Sequence, residues 1–348
     1  MDYYLIKGEF HVVGYSPDGD SLMFEANNPK HWNKIVTNHR EIFDERLASG
    51  GGSVQLRLQG IDALETHYSP SPVAKPKDLK KKSSSKAEKP KMGKFRQPAE
   101  YGDLATTELL EYLGVEKGSL KWKNSGWGGA YLSQIKIKSG KSVRTYKKKN
   151  ADPIKGYVVV NDMDRKGRPI AWVFPGSSST RDGSRLSASK LAGILKKSGN
   201  YKLVSNGLVY PYFFYTLEAA LRDILMHAVT NAQRQKMNIW SVDKTSKGIT
   251  TKKFSQITDK HLVFPYLFRR MVKHQYRRMM EGYWQALNKG TKYTPKTEAL
   301  FLDTFFDDTN PYIFMIKERE FKRLNEVIRV TKTKIKFSTP PENIVFLS

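Results

Sequence analysis

Apolar and polar residues alternate in several stretches of the first part of the chain, and this two-residue period is typical of half-buried strands. From Val54 onward, valine and leucine alternate with glutamine and arginine until Gly60 interrupts the pattern. Further strands are predicted over residues 3–13, 21–26, 157–160 and 170–174. Pro17-Asp18-Gly19 between the first two, and residues 164–167 between the last two, indicate turns.

Apolar residues at helical spacing mark the other regular stretches. A helix closed by Gly114 is predicted over residues 98–113, and shorter helices over residues 35–47, 187–197 and 200–208. Longer amphipathic helices are predicted over residues 216–236 and 262–287. The second of these carries a basic stripe of Arg269, Arg270, Lys273 and Arg277. Such a stripe is usually a solvated face, with a nucleic-acid contact as the alternative.

Two polar stretches interrupt these patterns. Residues 69–97 are rich in lysine, serine and proline, a composition that predicts a disordered insert without any share in a core. Residues 115–155 form a second polar insert, in which Trp122 and Trp127 stand among lysines and glycines. Both tryptophans are expected to pack under a loop, with stacking on nucleic-acid bases as the alternative.

These patterns predict an α+β chain in two parts. Residues 1–243 are expected to form one domain that carries both inserts, and residues 244–348 a mainly helical, basic extension. A chain of 348 residues is long enough to bury a sizeable core. It contains no cysteine, which excludes disulfides, thiolate metal sites and a cysteine nucleophile.

The charge balance indicates a polyanionic partner. Sixty lysines and arginines stand against 34 aspartates and glutamates, a formal net charge of +26. Self-repulsion of this size favours nucleic acid as the partner, with an anionic membrane surface as the weaker alternative. No apolar stretch approaches the roughly 20 residues of a membrane-spanning helix, so no membrane partner is expected. The first residues lack a signal-peptide pattern, and the expected location is therefore cytoplasmic.

Candidate chemistry is concentrated just beyond the strand that begins at Val54. Arg57 is followed by Asp62 and Glu65, two carboxylates three residues apart at the strand's end. Carboxylate oxygens hold hard cations such as calcium or magnesium, while a guanidinium group binds phosphate through two parallel hydrogen bonds. An ordinary ion pair in an exposed loop is the alternative that these residues alone leave open.

Three short motifs together resemble the active-site segments of the staphylococcal-nuclease-like proteins, the thermonucleases. They are DGDS at residues 18–21, RLQGIDALET at residues 57–66 and DRKGR at residues 164–168. Glu100-Tyr101-Gly102 and KMNIWS at residues 236–241 extend the similarity, which covers about residues 1–241. The resemblance implies a five-stranded OB-fold barrel with three helices, a scaffold suited to oligonucleotides.

The resemblance also implies a role for each site residue. Asp20, Asp62 and the backbone carbonyl of Ala63 would hold Ca²⁺, or another divalent ion. Glu65 would orient or deprotonate the attacking water, and Arg57 and Arg168 would bind the phosphate. Arg165, Lys166, Phe213 and Tyr215 would contact the substrate. Three positions depart from the family, which often has threonine at Ala63 and tyrosine at Lys166 and at Phe213.

The expected function is metal-dependent hydrolysis of DNA and RNA with little sequence specificity, with single-stranded substrate preferred. One alternative is an OB-fold that binds nucleic acid without cleaving it. Another is a nuclease effector that residues 244–348 target or restrain, as in a toxin, defence or repair setting. In that case the extension would also bind a protein partner.

Overall fold

The computed structural model describes residues 2–79, 85–90, 95–125, 129–139, 142–250, 255–295, 305, 310–331 and 334–347. The chain divides into two compact units, the first made of Met1–Ala63 and Glu100–Ser241, the second of Leu64–Ala99 and Val242–Ser348. The segment with the predicted lysine-rich insert therefore belongs to the same unit as the C-terminal residues.

The first unit contains the strands and helices that the alternating and helical patterns predict, with several short additions. Its strands are β1 (Tyr3–His11), β2 (Ser21–Ala26), β3 (Ser53–Leu58), β4 (Ile61–Asp62), β5 (Lys121–Ser125), β6 (Gly129–Ser139), β7 (Ser142–Tyr146), β8 (Ile154–Met163), β9 (Pro169–Pro175), β10 (Arg185–Leu186), β11 (Tyr210–Pro211) and β12 (Phe213–Phe214). Its helices are α1 (Arg40–Ser49), α2 (Ala99–Leu113), α3 (Ala188–Ile194), α4 (Gly199–Ser205), α5 (Ala219–Arg234) and α6 (Ile239–Val242), and 3-10 turns cover Pro29–Lys34 and Leu195–Lys197.

Five of these strands close into a barrel. The order is β1-β2-β3-β9-β8, and pairing of β8 with β1 completes the ring. The β3–β9 pair is parallel, while the other four pairs are antiparallel. The α+β class and the five-stranded barrel are thus as predicted, and the barrel is compatible with an OB-like fold. The described part of the first unit holds six α-helices, more than the three that the resemblance implies.

Aromatic side chains from the strand patterns fill the core beside β1 and β2. Phe10 and Phe24 are paired across these strands with ring centroids 5.1 Å apart. Trp32 packs edge-on against Phe24 at 6.1 Å and lies 5.6 Å from Phe43 of α1. All four side chains are fully buried, and burial of large aromatic groups is a leading contribution to core stability.

The second polar stretch is folded where only an insert was predicted. Strands β5, β6 and β7 form a separate antiparallel sheet. Leu132 and Ile135 of β6 are buried, whereas β5 and β7 are almost entirely exposed. Trp122 is 42 % exposed, so the expectation that it packs under a loop is wrong. Trp127 lies outside the described residues.

The second unit is built around one long helix. Its helices are α7 (Ser255–Asp259), α8 (Pro265–Lys289) and α9 (Leu324–Val327), and a 3-10 turn covers Pro341–Asn343. Its strands are β13 (Ile249–Thr250), β14 (Tyr312–Met315), β15 (Glu320–Arg323), β16 (Ile328–Val330), β17 (Lys334–Phe337) and β18 (Ile344–Phe346). Antiparallel ladders join β18-β14-β15 and β13-β17-β16. The prediction of a mainly helical extension missed these short strands.

The lysine-rich segment also differs from its prediction. Three of its described apolar residues, Val73, Leu79 and Ala87, pack against a cluster on α8. That cluster consists of Tyr276, Met279, Met280, Trp284 and Leu287. The segment therefore does contribute to a core, because its few apolar residues meet an apolar helix face that its composition could not reveal. Residues 80–84 and 91–94 of the segment lie outside the described residues.

Helix α8 does not qualify as a membrane-spanning helix, although it is long. The helix is 25 residues long, enough to span a hydrocarbon core, but it carries too many charged side chains. No other helix in the described ranges qualifies as a membrane span either.

Candidate active site

Two of the predicted acidic residues meet at Arg57 in the first unit. Nη2 of Arg57 donates to Oδ1 of Asp62 at 2.7 Å, and Nη1 forms a short ion pair with Oδ2 of Asp20. The side chains of Asp20 and Asp62 are 7 % and 0 % exposed, and that of Arg57 is 17 % exposed. Because two carboxylates share one guanidinium group, the trio itself carries a net negative charge.

The barrel strands place this trio. Arg57 lies on β3, opposite Ser21 on β2 and Ile170 on β9. The backbone N–H of Leu58 donates to the carbonyl of Asp20 at 2.8 Å, which ties the end of the β1–β2 turn to β3. Asp62 belongs to β4, where it is paired with Tyr210 of β11. Three separate segments of the sequence thus converge at one end of β3.

Two glycines allow these turns to pack closely. Gly60 has φ +78°, a left-handed conformation that lets the chain turn out of β3 and into β4. Gly19 leaves no room for a side chain, since a Cβ there would lie 2.9 Å from the Cβ atoms of both Ala63 and Ala105. The N–H of Ala63 also donates to Oδ2 of Asp20 at 2.8 Å. The small residue at position 63 therefore suits this contact.

Arg168 is held within its own turn. Its backbone N–H and its Nε donate to Asp164 at 2.9 and 2.8 Å, and Nη2 lies 2.7 Å from Asp164 Oδ2. It stands just before β9, two residues from Ile170, which is the β9 partner of Arg57. The side chain is 20 % exposed, which leaves it accessible to an anionic substrate.

Glu65 belongs to the second unit, where it meets α8. Its Oε1 accepts a hydrogen bond of 2.6 Å from Nη1 of Arg269. The other arginines of the predicted stripe are also engaged, because Arg270 packs over Phe305 at 5.4 Å and Arg277 lies 3.6 Å from Glu281. The interpretation of this stripe as a merely solvated face is therefore wrong.

The four predicted substrate-binding residues differ in solvent exposure: three are exposed and one is buried. Arg165 and Lys166 are exposed in the turn between β8 and β9, and Tyr215 is 63 % exposed. Phe213 is 0 % exposed, so its ring offers no face to a base and the prediction for this residue is wrong. Residues 212–215 are consecutive aromatic residues, and the sequence could not show which of their rings points inward.

The donor set around Arg57 contains only oxygen ligands of the kind that hard cations prefer. The carboxylates of Asp20 and Asp62 and the carbonyl of Ala63 would be the protein ligands of Ca²⁺. Three such groups fit a hard cation that keeps several waters. Within the described ranges, no group of three or more histidine, aspartate or glutamate side chains is arranged to hold a metal. A metal at this site would therefore depend on the backbone carbonyl and on water.

No family model and no curated protein sequence matches this chain. Functional assignment therefore depends on the residues of the site themselves.

Sequence reasoning missed the partners that hold Glu65. Gln97 is buried, and its side-chain oxygen accepts a hydrogen bond from the backbone N–H of Glu65. A single glutamine in a lysine-rich stretch did not indicate this contact. Arg269 had a weak signal, since it belongs to the basic stripe of a predicted helix. Nothing in the sequence indicated which stripe residue would meet an acidic partner more than 200 residues away.

Proposed function

We propose that this protein is a divalent-metal-dependent phosphodiesterase that hydrolyses DNA and RNA with little sequence specificity. The observation that carries the proposal is the convergence of Asp20 and Asp62 on Arg57, which lies near the end of barrel strand β3. Buried acidic residues around one arginine are costly to fold, and such arrangements are concentrated at functional sites. The motif similarity to the thermonucleases and the formal charge of +26 agree with a nucleic-acid substrate.

In this proposal each side chain has a separate task. Arg57 and Arg168 bind the phosphate and offset the negative charge that grows on it during attack, a form of electrostatic stabilisation by fixed donors. Glu65, two residues beyond Ala63 in the chain, takes a proton from the attacking water. A Ca²⁺ ion held by Asp20, Asp62 and Ala63 would polarise the phosphoryl oxygens and acidify bound water.

A second candidate function is binding without cleavage. It is favoured by the ion pairs of Arg57 with both acidic residues, because a guanidinium group there can substitute for a cation in balancing their charge. In that case the barrel would bind nucleic acid through charge and stacking alone. The two functions differ in one measurable property, which is metal-dependent strand cleavage.

Removal of the metal is expected to abolish cleavage. Purified full-length protein should degrade single-stranded DNA and RNA in the presence of Ca²⁺ and should stop when a chelator is added. A Glu65→Gln variant should cleave on the order of a hundredfold more slowly, because general-base catalysis typically contributes that much or more. Gel analysis of labelled oligonucleotides measures both effects.

The matched control for this experiment is Glu281→Gln. It makes the same change at a glutamate of α8 whose side chain is 40 % exposed. Binding of the oligonucleotide without any cleavage by the wild-type protein would favour the second function. Cleavage that persists undiminished in the chelator or in Glu65→Gln would exclude the catalytic assignment.

The β5–β7 sheet is expected to contribute to substrate binding. Trp122 is paired with Leu132, and the same face of β6 carries the exposed Lys136 and Lys138 further along. Exposed aromatic rings among basic side chains bind single strands by stacking, at about 1–3 kcal/mol per base. Trp122→Ala should therefore weaken binding of single-stranded DNA roughly tenfold.

Fluorescence anisotropy at low salt measures the affinity of this variant. Val143→Ala is the matched control, because Val143 is 49 % exposed on the neighbouring strand β7 but has no ring. Trp122→Phe should keep most of the affinity. Equal affinities of Trp122→Ala and the wild-type protein would show that the sheet does not stack bases.

A further inference from the structure

We infer that Arg269 is a positioning residue for the carboxylate of Glu65, so that helix α8 orients the proposed general base. The inference rests on the proposed function, since that proposal supplies the role of Glu65. Arg269 lies near the start of α8, and its Nη1 is 2.6 Å from Oε1 of Glu65. The two side chains are 22 % and 19 % exposed, so solvent screens this pair less than an exposed one.

The backbone of Glu65 is held by a second connection to the same helix. Its N–H donates to Oε1 of Gln97 at 3.2 Å, and its carbonyl accepts from the N–H of Gln97 at 2.8 Å. Gln97 is 1 % exposed, and its Nε2 donates to the carbonyl of Val263 at 2.7 Å. Val263 lies two residues before α8 begins at Pro265. Side chain and backbone of Glu65 are thus both fixed to the N-terminal end of α8.

Tyr68 strengthens this arrangement. Its backbone exchanges two hydrogen bonds of 2.7 Å with Phe95, and its ring packs against Phe268 of α8 at 6.5 Å. Burial raises the pKa of Tyr68, while the charge of Arg269 lowers it and that of Glu65 raises it. The segment from Glu65 to Tyr68 is held along its length rather than at one point.

A guanidinium group that donates to a carboxylate restricts the rotamers which that carboxylate can adopt. A fixed orientation matters because small errors in the placement of a catalytic group reduce the rate by large factors. Arg269 would then affect the rate of cleavage through its contact with Glu65.

A double-mutant cycle on the full-length protein tests this role. The variants are Arg269→Ala, Glu65→Gln and the double variant, with cleavage of a labelled single-stranded oligonucleotide in Ca²⁺ as the readout. Arg269→Ala should lower kcat about tenfold with KM little changed, which corresponds to about 1.4 kcal/mol of transition-state stabilisation. In the Glu65→Gln background the same change should have no further effect, because Arg269 acts through the carboxylate.

Two additional variants separate positioning from general damage. Arg269→Lys keeps the charge and should recover most of the rate. Arg278→Ala removes a neighbouring arginine of α8 that pairs with Glu281 at 3.8 Å, and it should leave the rate unchanged. Circular dichroism and thermal melting show whether each variant is folded.

Each other outcome overturns the inference in a recognisable way. Faster cleavage by Arg269→Ala would show that the contact inhibits the reaction. An equal loss of rate in both backgrounds would show that Arg269 has a structural role that does not act through the carboxylate of Glu65. An unchanged rate in Arg269→Ala, with an active wild-type protein, would overturn this inference alone. An inactive wild-type protein would overturn the proposed function and this inference with it.

Discussion

Arg57→Met is expected to destabilise the first unit by about 3 kcal/mol and to reduce cleavage by at least a hundredfold. Methionine keeps the length and much of the volume of the arginine but leaves the carboxylates of Asp20 and Asp62 without their shared cation. Because Asp62 is fully buried, its charge would then lack the ion pair that offsets its desolvation. Equilibrium unfolding in urea measures the first effect and oligonucleotide cleavage the second.

Arg168→Met is the matched control for stability. Its partner Asp164 lies four residues away in the same turn and is 21 % exposed, whereas Asp62 is fully buried, so the loss should be smaller than in Arg57→Met. Both variants should nevertheless cleave slowly if both arginines bind the phosphate. Arg57→Met with wild-type stability would contradict the buried ion pairs, whereas wild-type cleavage would contradict only the catalytic role.

The strands and helices with strong periodic patterns could be predicted from the sequence. The β2 strand begins and ends at the predicted residues, and α2 starts one residue later than predicted. The β5–β7 sheet could not be predicted, because among its described side chains only Leu132 and Ile135 of β6 are deeply buried and most of the others are polar. Strand pairing there depends on backbone hydrogen bonds, which leave little trace in side-chain periodicity.

The site was predictable where its residues lie within short motifs. Asp20, Arg57 and Asp62 lie in two of the three motifs, and the resemblance implied that they share one site, but their ion pairs were seen only in the structure. The contact of Glu65 with Arg269 could not be predicted, since one arginine among several gives no information on its partner. Phe213 was misjudged for a related reason, because an unbroken aromatic run has no period that separates inward from outward rings.

A buried charged network elsewhere in the first unit also lacked any sequence signal. Asp152 is fully buried, and its Oδ2 accepts from the N–H groups of Val12 and Val13 at 2.6 and 3.1 Å. Nδ1 of His11 lies 3.0 Å from the carbonyl of Asp152, and Nε2 lies 3.4 Å from Oε2 of Glu25. Both imidazole nitrogens therefore face oxygen atoms, which suits the protonated form.

This network is expected to make the stability of the first unit depend on pH. Burial lowers the pKa of His11. The hydrogen bonds and charge of Asp152, together with the charge of Glu25, raise it by more than burial lowers it, so the net shift is upward. A group with a raised pKa contributes its full stabilisation below its unfolded pKa of about 6.5 and loses it as pH rises through the folded pKa. The free energy of unfolding should therefore fall as pH rises above about 6.5.

Asp152→Ala should lower the free energy of unfolding by about 3 kcal/mol, because two buried N–H groups lose their acceptor. Asp152→Asn keeps an acceptor oxygen and should lose less, but it should flatten the fall in stability above about pH 6.5. His11→Asn is the control, since it removes the titrating group itself and should flatten the same part of the profile. Urea unfolding at a series of pH values measures all three variants. A wild-type slope that survives in His11→Asn would assign the pH dependence to a group other than His11.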